Sequence, residues 1–383
     1  MAQKFATLVL ILIFLCFLSV PCQATDLRPH HYHHRHRGRG SYPRGVHPSS
    51  LPQKLFVFGD SYADSGNNPK GLSSSWKVPY GTTFPGKPSG RFSDGRVLPD
   101  FVGKLNLPLC FLVRFSHSML RFLNVLEAKY YGLRSPTPYK FRESAPEHAR
   151  RYGINFAFGG TGVFETLVAL PNMTAQIDIF QQVIGEGTYT VADLRSSLAL
   201  VQLSGNDYSA FLLRNGSFEA LPAFIQSVVN QLTINIKRIH GLGIEKVAVS
   251  SLPPLGCLPS FTSFLSPRKC NDFINPFVQT HNNLLAGSMA LLNNETGTST
   301  FTVINLHDSF TVALGNSTFN KPLEPCCIGI NGTYKCGDVD PSRTKMYQVC
   351  PRPDSRFFWD MVHPTQQGWK VVFSSLEPAF QHL

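Results

Sequence analysis

The chain has 383 residues, 43% of them hydrophobic and 15% charged, with a formal charge of +11. That composition can bury a full core in one large domain or two smaller ones, and it excludes an intrinsically disordered chain. Lys4 and five arginines against Asp26 place +5 in the first 50 residues, leaving +6 for the other 333; with no arginine-rich helix or zinc-finger spacing there, no nucleic-acid partner is expected.

The chain opens on MAQKFATLVLILIFLCFLSVPCQA, where an apolar run from Ala6 to Val20 is followed by Pro21 and the small residue Ala24. The order predicts a cleaved secretory signal over 1–24, against an uncleaved anchor as the alternative. No later segment reaches the roughly 18 apolar residues a membrane helix needs, so no span is expected after cleavage. Residues 25–52 hold five histidines between His30 and His36 among arginines. They read as a solvated, disordered leader more readily than as a metal or anion site. Export agrees with five N-x-Ser/Thr triplets, at Asn172, Asn215, Asn294, Asn316 and Asn331, which are candidate glycan sites. It also agrees with Cys257, Cys270, Cys326, Cys327, Cys336 and Cys350 clustered in the C-terminal third, which suit disulfides in an oxidising compartment and leave Cys110 over. A Cys257–Cys270 bridge would close a short loop, but spacing alone does not assign the pairs. No paired CxxC or histidine set points to zinc.

From residue 53 strand and helix patterns alternate. Short apolar or β-branched runs at 54–58, 154–158, 198–203, 246–250 and 301–306 predict buried strands. A helix is predicted over 224–240, with Ile225, Val228, Val229, Leu232, Ile236 and Ile239 on one stripe before Gly241, and another over 276–292. Strands separated by helices imply crossovers, hence an α/β fold: a three-layer α/β/α sandwich on a mostly parallel central sheet.

In such a sheet ligands bind outside the carboxyl ends of the strands. LFVFGDS ends at Ser61, INFAFGG at Gly159 and Gly160, and LALVQLSGND at Gly205 and Asn206, so three polar or glycine termini meet on one rim. A serine hydroxyl needs a base and oxyanion donors to act as a nucleophile. In FFWDMVHPTQQG, Asp360 precedes His363 by three residues, a spacing that lets the carboxylate hold Nδ1–H and leave Nε2 for the serine. Pro364 places the histidine at a loop–helix junction. Donors for the oxyanion are expected from the N–H of Ser61, a glycine N–H at Gly159 and the side-chain amide of Asn206. G-x-S-x-G is absent, since Gly59-Asp60-Ser61-Tyr62-Ala63 lacks the last glycine.

The ordered set FVFGDSYADSGN, NFAFGGTGVFE, LSGNDY and WDMVHPT, with GRFSDGRVLPDF at 90–101, resembles the plant GDSL esterase/lipase family of the SGNH hydrolase superfamily over about residues 55–369. The resemblance implies a flavodoxin-like fold, no metal or organic cofactor, and hydrolysis of carboxylic esters through an acyl-serine. It places the nucleophile on Ser61, the oxyanion donors on Ser61, Asn206 and Gly159 (with Gly160 one residue on), and the acid and base on Asp360 and His363. Two features depart from the family. Phe158 stands where a small polar residue is usual, and about 105–130 is extra chain holding Cys110. That stretch is either a helix over the cleft or a translated intron, and the odd cysteine favours the second. The expectation is a secreted esterase acting on lipid, wax or acetylated cell-wall esters, with acyl transfer by the same residues, or a silent binding or defence protein, as alternatives.

Overall fold

The computed structural model describes residues 53–103, 135–262, 269–381 and 383. The expected signal, leader, extra stretch and Cys110 lie outside them. The labelled elements in chain order are β1 (Lys54–Gly59), α1 (Leu98–Val102), β2 (Thr137–Pro138), β3 (Ile154–Asn155), α2 (Met173–Gly185), β4 (Ser197–Gln202), α3 (Asn206–Leu213), α4 (Leu221–Gly241), β5 (Lys246–Ser250), α5 (Asn275–Thr296), β6 (Phe301–Ile304), α6 (Leu306–Leu314), β7 (Cys327–Gly329), β8 (Tyr347–Val349) and α7 (Gln366–Gln381).

Six strands form one sheet in the order β2-β3-β1-β4-β5-β6, every neighbouring pair parallel. Without the two-residue edge strand β2, this is the flavodoxin-like order, whose topological switch point falls at β1 and β4. β1 is buried from Leu55 to Gly59, as a strand covered on both faces should be. Its Phe56 and Phe58 rings meet Phe180 of α2 at 4.9 and 5.5 Å, so α2 lies on that face. α2 packs on α4 and α4 on α5, while α7 packs on α1 and α6 to make the other layer.

The α4 stripe read from sequence is buried at every position. Each such aliphatic side chain contributes roughly 1.5–3 kcal/mol by leaving water. Helix α4 begins three residues earlier than expected, and α5 runs on to Thr296, where Gly297 (φ +64°) closes it with an N–H to the Asn293 carbonyl.

Two strands end early, for identifiable reasons. β6 stops at Ile304 because Asn305 caps α6, its Oδ1 accepting the Asp308 N–H at 3.0 Å. At 154–158, Phe156 and Phe158 still donate to Val57 and Gly59 carbonyls. On the other edge, however, β2 ends at Pro138, and the carbonyls of Asn155 and Ala157 accept from Asn67 Nδ2, both at 2.8 Å.

The clustered cysteines pair as Cys257–Cys270, Cys326–Cys350, which bridges the antiparallel pair β7–β8 just outside its paired residues, and Cys327–Cys336, which ties β7 to the connection that follows it. Of the candidate glycan positions, Asn215, Asn294 and Asn331 are exposed. Asn172 and Asn316 are half-buried, and their Oδ1 atoms accept from Ala175 and Thr318 N–H groups. Among the described residues no helix is long and apolar enough to cross a membrane.

Candidate active site

Ser61 follows β1 in a turn that only glycine can enter. Gly59 has φ +147°, and a Cβ there would meet the Gln202 carbonyl oxygen at 1.9 Å. Buried Gln176 of α2 clamps the same residue, accepting the Gly59 N–H at 2.8 Å and donating to its carbonyl at 2.9 Å. Asp60 then ties the turn to the end of β4. Its Oδ2 accepts Ser204 N–H (2.5 Å), Ser204 O–H (2.6 Å) and Asn206 Nδ2–H (3.0 Å), and its Oδ1 accepts the Tyr62 N–H. Burial pushes the Asp60 carboxyl up to about 6 against the pull of these donors; at neutral pH it is ionised and the clamp is intact.

Three hundred residues on, the loop before α7 brings His363 to that turn. Nε2 lies 2.8 Å from Ser61 Oγ, and Nδ1 lies 2.8 and 2.9 Å from the two Asp360 oxygens. Asp360 Oδ1 also accepts the N–H groups of Val362 (2.9 Å) and His363 (2.8 Å), while Oδ2 accepts the Tyr80 hydroxyl (2.7 Å). Burial pushes the Asp360 carboxyl up, but the charge and hydrogen bonds of His363 outweigh it and leave it below the ordinary carboxylate value. With Asp360 ionised, Nδ1 carries the proton and Nε2 is the acceptor for Ser61 O–H.

One of the expected oxyanion donors already has acceptors within the chain. The Gly159 N–H is already committed, to Asp64 Oδ2 at 3.1 Å and Asn68 Oδ1 at 2.9 Å. It therefore closes the loop after β1 and is not available to a substrate. Gly160, φ +86° and half-buried, turns the chain so that its own N–H has no acceptor among the described residues, and the Ser61 N–H has none either. Both hydrogens of the Asn206 amide are in use, on Asp60 Oδ2 and on the Thr161 carbonyl at 2.9 Å. To reach an oxyanion, Asn206 must share one of them. Phe158 is buried and its N–H remains on β1.

Several residues that shape the site carry no signal that periodicity could supply. The GRFSDGR stretch, noticed in the sequence without a role, supports the histidine loop. Phe92 stacks on the His363 ring at 5.0 Å, Ser93 Oγ donates to the Pro364 carbonyl, and Asp94 Oδ1 accepts the Gln366 N–H. Tyr80 sits among Trp359 and the β7–β8 cysteines in a second apolar cluster. Burial first, and then the Asp360 charge, push its hydroxyl well up, so it stays a donor. Tyr80→Phe removes one charge-assisted bond from the carboxylate, and the expected loss in turnover is roughly tenfold. The check is kcat against pH: a lost anchor for Asp360 changes the pH at which activity rises, whereas a packing defect scales the whole profile. Among the described residues no group of three or more His, Cys, Asp or Glu side chains could hold a metal ion.

Comparison with known proteins agrees in extent with this arrangement. Residues 55–376 match the family model described as GDSL-like Lipase/Acylhydrolase. Two GDSL esterases/lipases of Arabidopsis thaliana are similar to the chain, one 49% identical over 85% of this chain and 86% of its own length, the other 47% identical over 88% and 90%. A solved acetylxylan esterase from Geobacillus stearothermophilus aligns with 88% of this chain and 96% of its own at 11% identity and a TM-score of 0.36, too loose a likeness to carry an argument.

Proposed function

The chain belongs to the GDSL-like lipase/acylhydrolase family and is a carboxylic ester hydrolase, and from that premise we propose that it works outside the cell through an acyl-serine on Ser61. The observation that carries the reading is the continuous relay from Asp360 through His363 to Ser61 Oγ, every link 2.9 Å or shorter.

In the proposed reaction Ser61 Oγ attacks the ester carbonyl carbon as its proton passes to His363 Nε2. The carbonyl oxygen, now an oxyanion, accepts from the N–H groups of Ser61 and Gly160 and from a shared hydrogen of Asn206. The imidazolium formed is stabilised by Asp360. Its proton goes to the alcohol oxygen as the C–O bond breaks, leaving the acyl group on Ser61. Water then adds to the acyl carbon, giving its proton to Nε2, and collapse of the second oxyanion releases the acid and returns the proton to Oγ. No step calls for a metal. Export is supported by the apolar N-terminal run and by three disulfides among the described residues.

A fluorophosphonate probe tests the chemistry directly. The expected result is one label per chain, on the peptide containing Ser61, with loss of turnover on p-nitrophenyl esters in step with labelling. A folded protein that hydrolyses esters while remaining unlabelled contradicts the acyl-serine.

A further inference from the structure

Two consecutive asparagines serve successive carbonyls along the chain that follows β3. Asn67 Nδ2 takes those of Asn155 and Ala157, and Asn68 Nδ2 takes the next in the series, Gly159, at 3.1 Å. Asn68 Oδ1 also accepts the Gly159 N–H at 2.9 Å, so one side-chain amide clasps both backbone groups of one residue. A backbone donor and a backbone acceptor fix which end of the amide faces which. The clasp is itself anchored. Asn68 is 5% exposed, its N–H is held by Asp64 Oδ2 at 3.3 Å, and its carbonyl accepts from Trp76 Nε1 at 2.8 Å and Lys140 Nζ at 3.2 Å. Because Asp64 Oδ2 accepts the Gly159 N–H as well, the bond that Asn68 alone supplies among the described residues is the one to the Gly159 carbonyl.

That carbonyl belongs to the same planar trans peptide as the Gly160 N–H, and in such a unit the two groups point in opposite directions. Holding the carbonyl therefore sets the direction of the Gly160 N–H. A hydrogen bond accepted by the carbonyl also polarises the peptide and strengthens its N–H as a donor. The next peptide is held too, with Thr166 Oγ1 donating to the Gly160 carbonyl at 2.7 Å. Both flanks of this peptide touch the reacting groups. On one side a Cβ at Gly159 would run into the Phe92 ring, which stacks on His363. On the other, the Thr161 carbonyl holds the Asn206 amide at 2.9 Å, and the Thr161 hydroxyl reaches the Gly59 carbonyl at 3.3 Å.

We propose that Asn68 is a positioning residue for ester hydrolysis, holding the Gly159 carbonyl so that the Gly160 N–H is aimed at the oxyanion. The proposal rests on the acyl-serine reading above. Asn68 acts through Gly160 and only when charge develops on the substrate oxygen, so its loss falls on kcat and spares KM.

The test is Asn68→Leu, which keeps the volume of the side chain, removes both of its bonds to Gly159 and leaves the Gly159 N–H on Asp64. With p-nitrophenyl butyrate kcat is expected to fall roughly 10- to 100-fold, less than for deletion of an oxyanion donor, because the Gly160 N–H is misaimed and not removed. KM is expected to move by less than about twofold. A trifluoromethyl ketone of matching acyl length provides the readout that a structural role would leave alone. Ser61 Oγ adds to its carbonyl carbon, the serine proton passes to His363 Nε2, and the carbonyl oxygen is left as an oxyanion; its affinity should drop by the same factor as kcat. The parent methyl ketone, bound without addition, should bind both proteins equally. Titration with a fluorophosphonate counts the active chains in each sample. A folded Asn68→Leu protein that keeps kcat within about threefold of wild type, or that loses kcat while binding the trifluoromethyl ketone as tightly, overturns the proposal. If the variant does not fold, a crystal structure of the wild-type trifluoromethyl ketone adduct decides. An oxyanion bonded to the Gly160 N–H with the Asn68 clasp closed supports the proposal, and an oxyanion that does not meet Gly160, or a Gly159 carbonyl released by Asn68, overturns it. A wild-type protein that neither turns over esters nor takes the fluorophosphonate overturns the acyl-serine reading, and the role of Asn68 with it.

Discussion

Ser61→Ala is expected to lower kcat for ester hydrolysis by roughly 10⁵- to 10⁶-fold, His363→Ala by as much, and the double variant by no more than either alone. The two groups share one hydrogen bond of 2.8 Å, so removing either abolishes the same proton transfer. What survives comes from binding and from the donors that remain on Ser61 and Gly160. Neither change threatens the fold. Among the described residues Ser61 Oγ bonds only to His363, and the turn that carries it is held by Gly59, Gln176 and Asp60. Steady-state kinetics on p-nitrophenyl butyrate, with thermal unfolding of each variant as the control, checks this. A folded Ser61→Ala protein keeping a tenth of wild-type turnover, or single effects that multiply in the double variant, means that the two side chains do not act together.

The fold was legible where burial imposes a period. The α4 stripe and the β5 run leave no other face to the core, and both elements were placed to within a few residues. Legibility failed where a side chain takes over a backbone partner's place. Asn67 takes over the Asn155 and Ala157 carbonyls where β2 ends, and Asn305 turns the end of β6 into a helix cap. No hydrophobic pattern records either event. The β7–β8 pair is three residues a side and is bridged by the Cys326–Cys350 cystine, so its signal was the cysteine cluster and not alternation.

At the site, residue types and order were enough to nominate Ser61, Asp360 and His363, because that chemistry needs those side chains whatever surrounds them. They did not separate Gly159 from Gly160. Adjacent glycines look alike in sequence, and only the turn at Gly160, together with the Asp64 and Asn68 acceptors on the Gly159 N–H, assigns the open donor. Tyr80 and Gln176 lie 280 and 117 residues from the groups they hold. A single hydrogen bond across such a span has no sequence period. Hence the supporting shell became visible only with the fold.

Asp360→Asn is expected to lower kcat by roughly 10⁴-fold, as the corresponding change does in serine proteases. A milder outcome would require other groups to hold the imidazole. Among the described residues no other group bonds Nδ1: its partners are the two Asp360 oxygens, Nε2 is bonded to Ser61 Oγ, and the rings of Phe92 and Tyr62 lie beside the imidazole. In the asparagine variant, the fixed N–H groups of Val362 and His363 select the amide oxygen for the Oδ1 position. The NH2 then takes the Oδ2 position, 2.9 Å from Nδ1, and opposes a proton there, leaving Nδ1–H only the neutral amide oxygen at 2.8 Å, which already accepts two N–H groups. The ring shifts to the tautomer with Nε2–H, which donates to Ser61 Oγ and can no longer accept from it. The negative charge that stabilises the imidazolium is lost at the same time. KM should change far less than kcat, because Asp360 is 7% exposed and bonded to its own loop and to Tyr80. Fluorophosphonate labelling should slow in proportion to kcat. An asparagine variant that keeps kcat within about tenfold of wild type would show that the imidazole keeps its tautomer without the carboxylate, and the relay would then reduce to Ser61 and His363 alone.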